Sequence, residues 1–116
     1  MKFSGPLKLN HIFRRLYSSS GHANSYLVLY ARKYRTATNR VGVTVSKKLG
    51  CAVVRNRVRR RLREIYRTNE YRLAPGWDIV IVARVKSVYA RYDELERSFL
   101  TLARKLELLV PAEDKV

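Results

Sequence analysis

Arginines recur through one short stretch of the chain at a spacing suited to binding phosphate. From Ser46 to Arg67, SKKLGCAVVRNRVRRRLREIYR, two lysines and a glycine lead into a segment with seven arginines. A guanidinium makes two parallel hydrogen bonds to a phosphate, stacks on bases and stays charged. Read as a helix, the segment gathers Val54, Ile65, Val58, Leu62 and Tyr66 within one arc of about 120°. That arc is the face expected to be buried. Arg59, Arg63, Asn56, Arg60, Glu64 and Arg57 fill the rest of the circumference, with Arg55 and Arg61 on its borders. A solvated charged face is the bland alternative, but acids to balance these arginines are missing. Even opposite exposed charges contribute only about 0 to 1 kcal/mol, so the face calls for an anionic partner. A basic helix lying on a membrane would carry Trp or Phe on its apolar arc. This arc holds aliphatics and one Tyr, which suits packing on a sheet.

Other chemistries find less support. A metal-dependent nuclease needs clustered carboxylates, and the nine acids are scattered, with Asp93, Glu94, Glu96, Glu107, Glu113 and Asp114 all towards the C-terminus. A metal-free ribonuclease would want histidines and a lysine converging. His11 and His22 instead flank a short expected helix. Two His and one Cys, far apart, give no zinc spacing. The lone Cys51 cannot form an internal disulfide and fits a reducing compartment. At a helix start its thiol pKa would be lowered, and it is read as a tolerated small residue.

The 116 residues suffice for one domain with one core, and 47% of them are hydrophobic. Twenty-five Lys and Arg against nine Asp and Glu give a formal net charge of +16, spread along the whole chain. Such a polycation binds polyphosphate by releasing condensed counterions, with an affinity that falls steeply with salt. No apolar run approaches the roughly 20 residues of a membrane span, and the N-terminus lacks a signal-peptide core. The expected location is the cytoplasm, with no membrane partner.

The elements that must position the arginines follow in order. Asn10 can cap a first helix whose Phe13, Leu16 and Tyr17 share one side, and Ser18 to Gly21 stop it, glycine supplying a left-handed cap. Tyr26 to Tyr34 alternates as a strand, with Leu27, Leu29 and Ala31 on one face and Tyr26, Val28, Tyr30, Arg32 and Tyr34 on the other. The second face pairs rings with cations, as single-stranded RNA recognition does. The structural alternative is a tyrosine face covered by the first helix. Arg40 to Ser46 reads as a strand with Val41, Val43 and Val45 inward. If it pairs with the tyrosine strand, its small residues make a trough beside the rings. Asp78 to Arg84 is apolar on both faces and reads as central. Arg91 to Asp93 leads into the last helix, with Asp93 and Glu96 at capping-box spacing and a core stripe of Leu95, Phe99, Leu102, Leu106 and Leu109. The order helix, strand, strand, helix, strand, helix gives an α/β (α+β) two-layer sandwich with a three- or four-stranded sheet. One face would be left as an open groove.

These residues resemble the bacterial ribonuclease P protein family. The signature is the run Lys47, Lys48, Gly50, Ala52, Val53, Arg55, Asn56, Arg57, Arg60, Arg63 and Glu64. Phe13 to Tyr17, the strand ending Leu29 and Tyr30, and Arg40 to Ser46 also match, so the resemblance covers about residues 7 to 109. It implies a small basic protein, monomeric within its ribonucleoprotein, that joins a catalytic RNA to remove the 5′ leader of precursor tRNA. Hydrolysis in that family belongs to the RNA and its Mg2+ ions, so the protein holds no cofactor of its own and no catalytic residues. Matched position by position, Phe13, Tyr17, Val28, Tyr30, Ser46 and Lys47 would form the leader-binding cleft and its rim. Lys48, Arg55, Asn56, Arg57, Arg59, Arg60 and Arg63 would meet the catalytic RNA. The resemblance also implies a left-handed strand-helix-strand crossover, against the general rule. Two residues depart from the family pattern: Cys51, and Arg61, whose stem is expected to cover the core while its head reaches water. The alternative function is a structural RNA-binding protein of the ribosome, which would need the basic surface but no groove for an unpaired strand.

Overall fold

The computed structural model describes residues 4–6, 21–33 and 38–109. The expected first helix, with Phe13 and Tyr17, and the tail after Val110 lie outside them. Five strands form one mixed sheet: β1 (Ser4–Pro6), β2 (Gly21–Ala23), β3 (Leu27–Lys33), β4 (Asn39–Thr44) and β5 (Trp77–Ala83), in the order β1-β4-β5-β3-β2. β5 is parallel to β4 and antiparallel to β3. It therefore sits between the two strands that the sequence suggested as neighbours. Its position explains its composition, since Ile79, Val80 and Ile81 are all fully buried. The two edge strands have three residues each, too few to show an alternation in sequence.

The arginine helix (Ala52–Asn69) and a closing helix (Tyr92–Lys105) pack on one face of this sheet. Val58, Leu62, Ile65 and Tyr66 of the first and Leu95, Phe99 and Leu102 of the second meet Leu27, Leu29, Ile79 and Ile81 beneath them. The Tyr66 and Phe99 rings meet edge to face at 6.4 Å, the arrangement aromatic quadrupoles favour. Two buried asparagines fix the helix in place. Asn39 donates to the Tyr66 hydroxyl and accepts the Trp77 N–H at 2.8 Å, which ties the starts of β4 and β5 to the helix. Asn69 donates to the Ile65 carbonyl and to Glu96 of the closing helix, at 2.9 Å.

Three local expectations are corrected. Gly21 is a strand residue opposite Tyr30, not a left-handed helix cap. Glycine stands there because a Cβ would come within 2.6 Å of the Tyr30 ring. The closing helix starts two residues early: Arg91 is its N-cap, and its N–H donates to Glu94 rather than Asp93 pairing with Glu96. Glu96 is instead taken up by Asn69. The leucine stripe does not continue as helix to Leu109, because a Schellman turn intervenes. Glu107 takes the left-handed conformation at φ 59°, Leu108 N–H reaches back to the Ala103 carbonyl, and Leu108 becomes the buried residue.

On the sheet's other face, Arg40 binds Asp78 through two parallel hydrogen bonds of 2.7 Å. The Asp78 side chain is 5% exposed and that of Arg40 is 24% exposed. Removing the arginine strands the more deeply buried charge. Arg40→Ala should therefore cost about 3 to 5 kcal/mol of folding stability, and Asp78→Ala less, about 1 to 3 kcal/mol. Denaturant midpoints of the two variants check the order.

Candidate nucleic-acid interface

Burial of its apolar arc turns the arginine helix so that its cations face solvent. Arg57, Arg60 and Arg63 are exposed, and none has a hydrogen bond or ion pair among the described residues. Arg59 donates to Asn56 Oδ1 at 2.8 Å, which sets the guanidinium's direction without neutralising it. Glu64 is claimed by Arg67 one turn on, and that guanidinium holds its carboxyl below the usual range. The helix's acid thus offsets one arginine and leaves the others open. A shallow depression of about 500 Å³ is lined by Asn56, Arg59, Arg60, Arg63, Glu64 and Arg67, four arginines against one glutamate. Four guanidiniums around an open hollow make a seat for a polyanion.

Two border residues are used for anchoring. Arg55 Nε donates to the Gly50 carbonyl at 3.1 Å, across the turn that begins the helix. Gly50 sits at φ 136°, a conformation side chains rarely adopt, so the SKKLG turn needs glycine there. Arg61, expected to reach water, donates instead to the Ala90 carbonyl at 3.2 Å. Cys51 is the exposed N-cap, and the Val54 and Val53 N–H groups lower its thiol pKa as a helix start should. Ser46, Lys47 and Lys48 are exposed on a short 3-10 turn that joins β4 to the helix.

The sheet face away from the two helices carries the second set of residues. Register places Tyr30 beside Val80, and Val80 beside Gly42. Val28, Val82 and Thr44 form the next row, and Arg32, Asp78 and Arg40 close one end. The tyrosine strand and the small-residue strand are therefore not neighbours, and Val80, fully buried, stands between Tyr30 and Gly42. The middle row comes from β5, a place that alternation along β3 and β4 does not assign to it. The signal was present, because a strand apolar on both faces needs something against each. Val28 and Tyr30 are half-buried. Tyr26 does not belong to this face: it precedes β3, and its hydroxyl donates to Glu94 of the closing helix at 3.1 Å. That bond raises the Tyr26 pKa, and alternation carried one residue past the strand misplaced the ring. Tyr34, Phe13 and Tyr17 lie outside the described residues.

Comparison with known proteins decides the family. The ribonuclease P family model matches residues 1–107. The chain belongs to the ribonuclease P protein family. It is 41% identical over 106 residues to the ribonuclease P protein component of Clostridioides difficile, covering 90% of this chain and 93% of that one. To the component of Alkaliphilus oremlandii it is 42% identical over 110 residues, covering 94% and 96%. Among solved structures, the Staphylococcus aureus RNase P protein superposes with a TM-score of 0.82 at 27% identity, covering 90% of this chain and 97% of that one. The Thermotoga maritima RNase P protein gives 0.77 at 30% identity, covering 85% and 96%. The two-layer α+β fold expected from the sequence is thus the family's fold.

Membership gives the unpaired cations a purpose in an RNA-binding family. Among the described residues no group of three or more His, Cys, Asp or Glu side chains is placed to hold a metal ion, and no helix is long and apolar enough to cross a membrane. Replacing Arg57 and Arg60 together with Ala should flatten the slope of log K against log salt for RNA binding by up to roughly one unit per lost phosphate contact. Filter binding across a salt series reads this directly, and an unchanged slope would place both side chains away from the RNA.

Proposed function

We propose that this protein is the protein subunit of a ribonuclease P ribonucleoprotein that removes the 5′ leader from precursor tRNA. The observation that carries the reading is the arginine face, with Arg57, Arg60 and Arg63 unpaired in a chain of net charge +16. In this reading Lys48, Arg55, Asn56, Arg57, Arg59, Arg60 and Arg63 lie against the catalytic RNA. The groove over Val28, Tyr30, Val80 and Gly42 takes the unpaired leader, with Ser46 and Lys47 at its rim and Phe13 and Tyr17 added by the sequence pattern. A flat ring is a sequence-tolerant platform for a base, each stack contributing about 1 to 3 kcal/mol. One protein can then serve precursors with different leaders.

Hydrolysis in this proposal is the work of the RNA subunit and the Mg2+ ions it holds. The protein's own residues bind and orient: the arginine helix docks on the RNA, and the sheet face holds the leader beside it. This division is supported by the scatter of the acids and by the engagement of Glu64, Asp78, Glu94 and Glu96 in structural contacts.

Two measurements test the reading. Tyr30→Ala should weaken binding of precursor tRNA by about 1 to 3 kcal/mol and leave mature tRNA, which has no leader, nearly unchanged, with little loss of melting temperature. Equal weakening of both with a large drop in melting temperature would make the ring a structural residue. In addition, protein freed of RNA should not cleave precursor tRNA with any divalent metal. Cleavage that survives exhaustive nuclease treatment would move the chemistry into the protein.

A further inference from the structure

Large apolar side chains exposed singly on a surface need no explanation. Here they are gathered. Of the five exposed ones among the described residues, Val85, Tyr89 and Tyr92 fall within the short stretch that joins β5 to the closing helix, and Tyr89 is the most exposed at 84%. Val85–Tyr89 is a 3-10 segment leaving the end of β5, and Tyr92 opens the closing helix. Tyr89 has no hydrogen bond or ring contact among the described residues, whereas exposed Tyr71 is covered by its neighbour Arg72.

The segment is held firmly from beneath. Ser87 is fully buried, and its hydroxyl donates to the Arg84 carbonyl at 2.6 Å. Arg61 of the arginine helix donates to the Ala90 carbonyl, between the two tyrosines. The turn also touches the Lys47–Leu49 segment, so it stands between the lysine rim and the arginine face. Two cations, Arg84 and Lys86, stand on one side of it. A shallow hollow of about 620 Å³ beside Val85 is lined by Asn24, Ser25, Arg84 and Lys86. On the other side the charge of Arg91 is taken up by Asp93 and Glu94.

We infer that Tyr89 is a second stacking platform, on which an unpaired base of the partner RNA rests while Arg84 and Lys86 hold its backbone. The inference rests on the RNA-binding reading above and extends it to a surface outside both the arginine face and the sheet groove. Charge selects RNA over a second copy of this chain, because two polycations of +16 repel where two such patches meet. Exposure of a whole ring face suits a base that is not paired, since a duplex keeps its bases stacked inside.

The test uses the full chain and two probes, a single-stranded oligoadenylate and a blunt RNA duplex, with Tyr89→Ala and Tyr89→Phe. To keep the groove from masking the effect, each is also measured in the Tyr30→Ala background. Tyr89→Ala should weaken single-strand binding about fivefold to a hundredfold, the loss of one base–aromatic stack. Duplex binding, salt slope and melting temperature should hold, and Tyr89→Phe should retain affinity. Ultraviolet cross-links to the single strand should map to the tryptic peptide Ser87–Arg91. An unchanged single-strand affinity overturns the platform while the arginine reading stands, provided Arg57 and Arg60 still set the salt slope. Equal loss on both probes also overturns it, as does a Tyr89 effect seen only on self-association in sedimentation. Wild-type protein that binds neither probe would overturn the RNA-binding reading and the platform together.

Discussion

The structure depends on the burial of one helix face beneath another that repels itself. Six Arg–Arg pairs stand three or four residues apart along the arginine helix, and each such pair costs about 0.2 to 0.5 kcal/mol. Val58, Leu62, Ile65 and Tyr66 are fully or almost fully buried on the sheet, at about 1.5 to 3 kcal/mol apiece. Burial outweighs the repulsion severalfold, so the core holds the cations in an arrangement they would not keep alone. An approaching polyphosphate relieves the repulsion without moving the helix. This is why the face can be both unbalanced and rigid.

The same packing sets the other surfaces. Because the arginine helix and the closing helix cover one side of β5, the apolar residues on its other side become the floor between Tyr30 and Gly42. Because β4 and β5 run parallel, the Lys47–Leu49 turn and the Val85–Tyr89 turn emerge at the same end of the two strands. Arg61 then joins that end to the helix through Ala90. Residues far apart in sequence thus form a basic rim with rings on it.

Much of this was legible in the residues. The 3.6-residue period of the arginine helix identified its buried side, and the alternation of Leu27, Leu29 and Ala31 identified the core face of β3. Signals that depend on long-range pairing were not legible. No local pattern could say that β5 lies between β3 and β4, or that a three-residue strand at Gly21 makes room for the Tyr30 ring. Spacing also misled where two partners were possible: Glu96 had the right offset from Asp93, but Asn69 reaches it and Glu94 takes the cap. Tyr26 fitted the alternation and failed because the strand begins one residue later. The places named for Phe13 and Tyr17 rest on sequence pattern, outside the described residues.

The central proposal is that the unpaired arginine face binds one RNA subunit. The direct measurement is to isolate the tagged protein at low salt from the cells that make it and sequence the RNA that accompanies it. The expected result is a single abundant structured RNA, together with precursor tRNAs that still carry their leaders. Ribosomal RNA alone would contradict it.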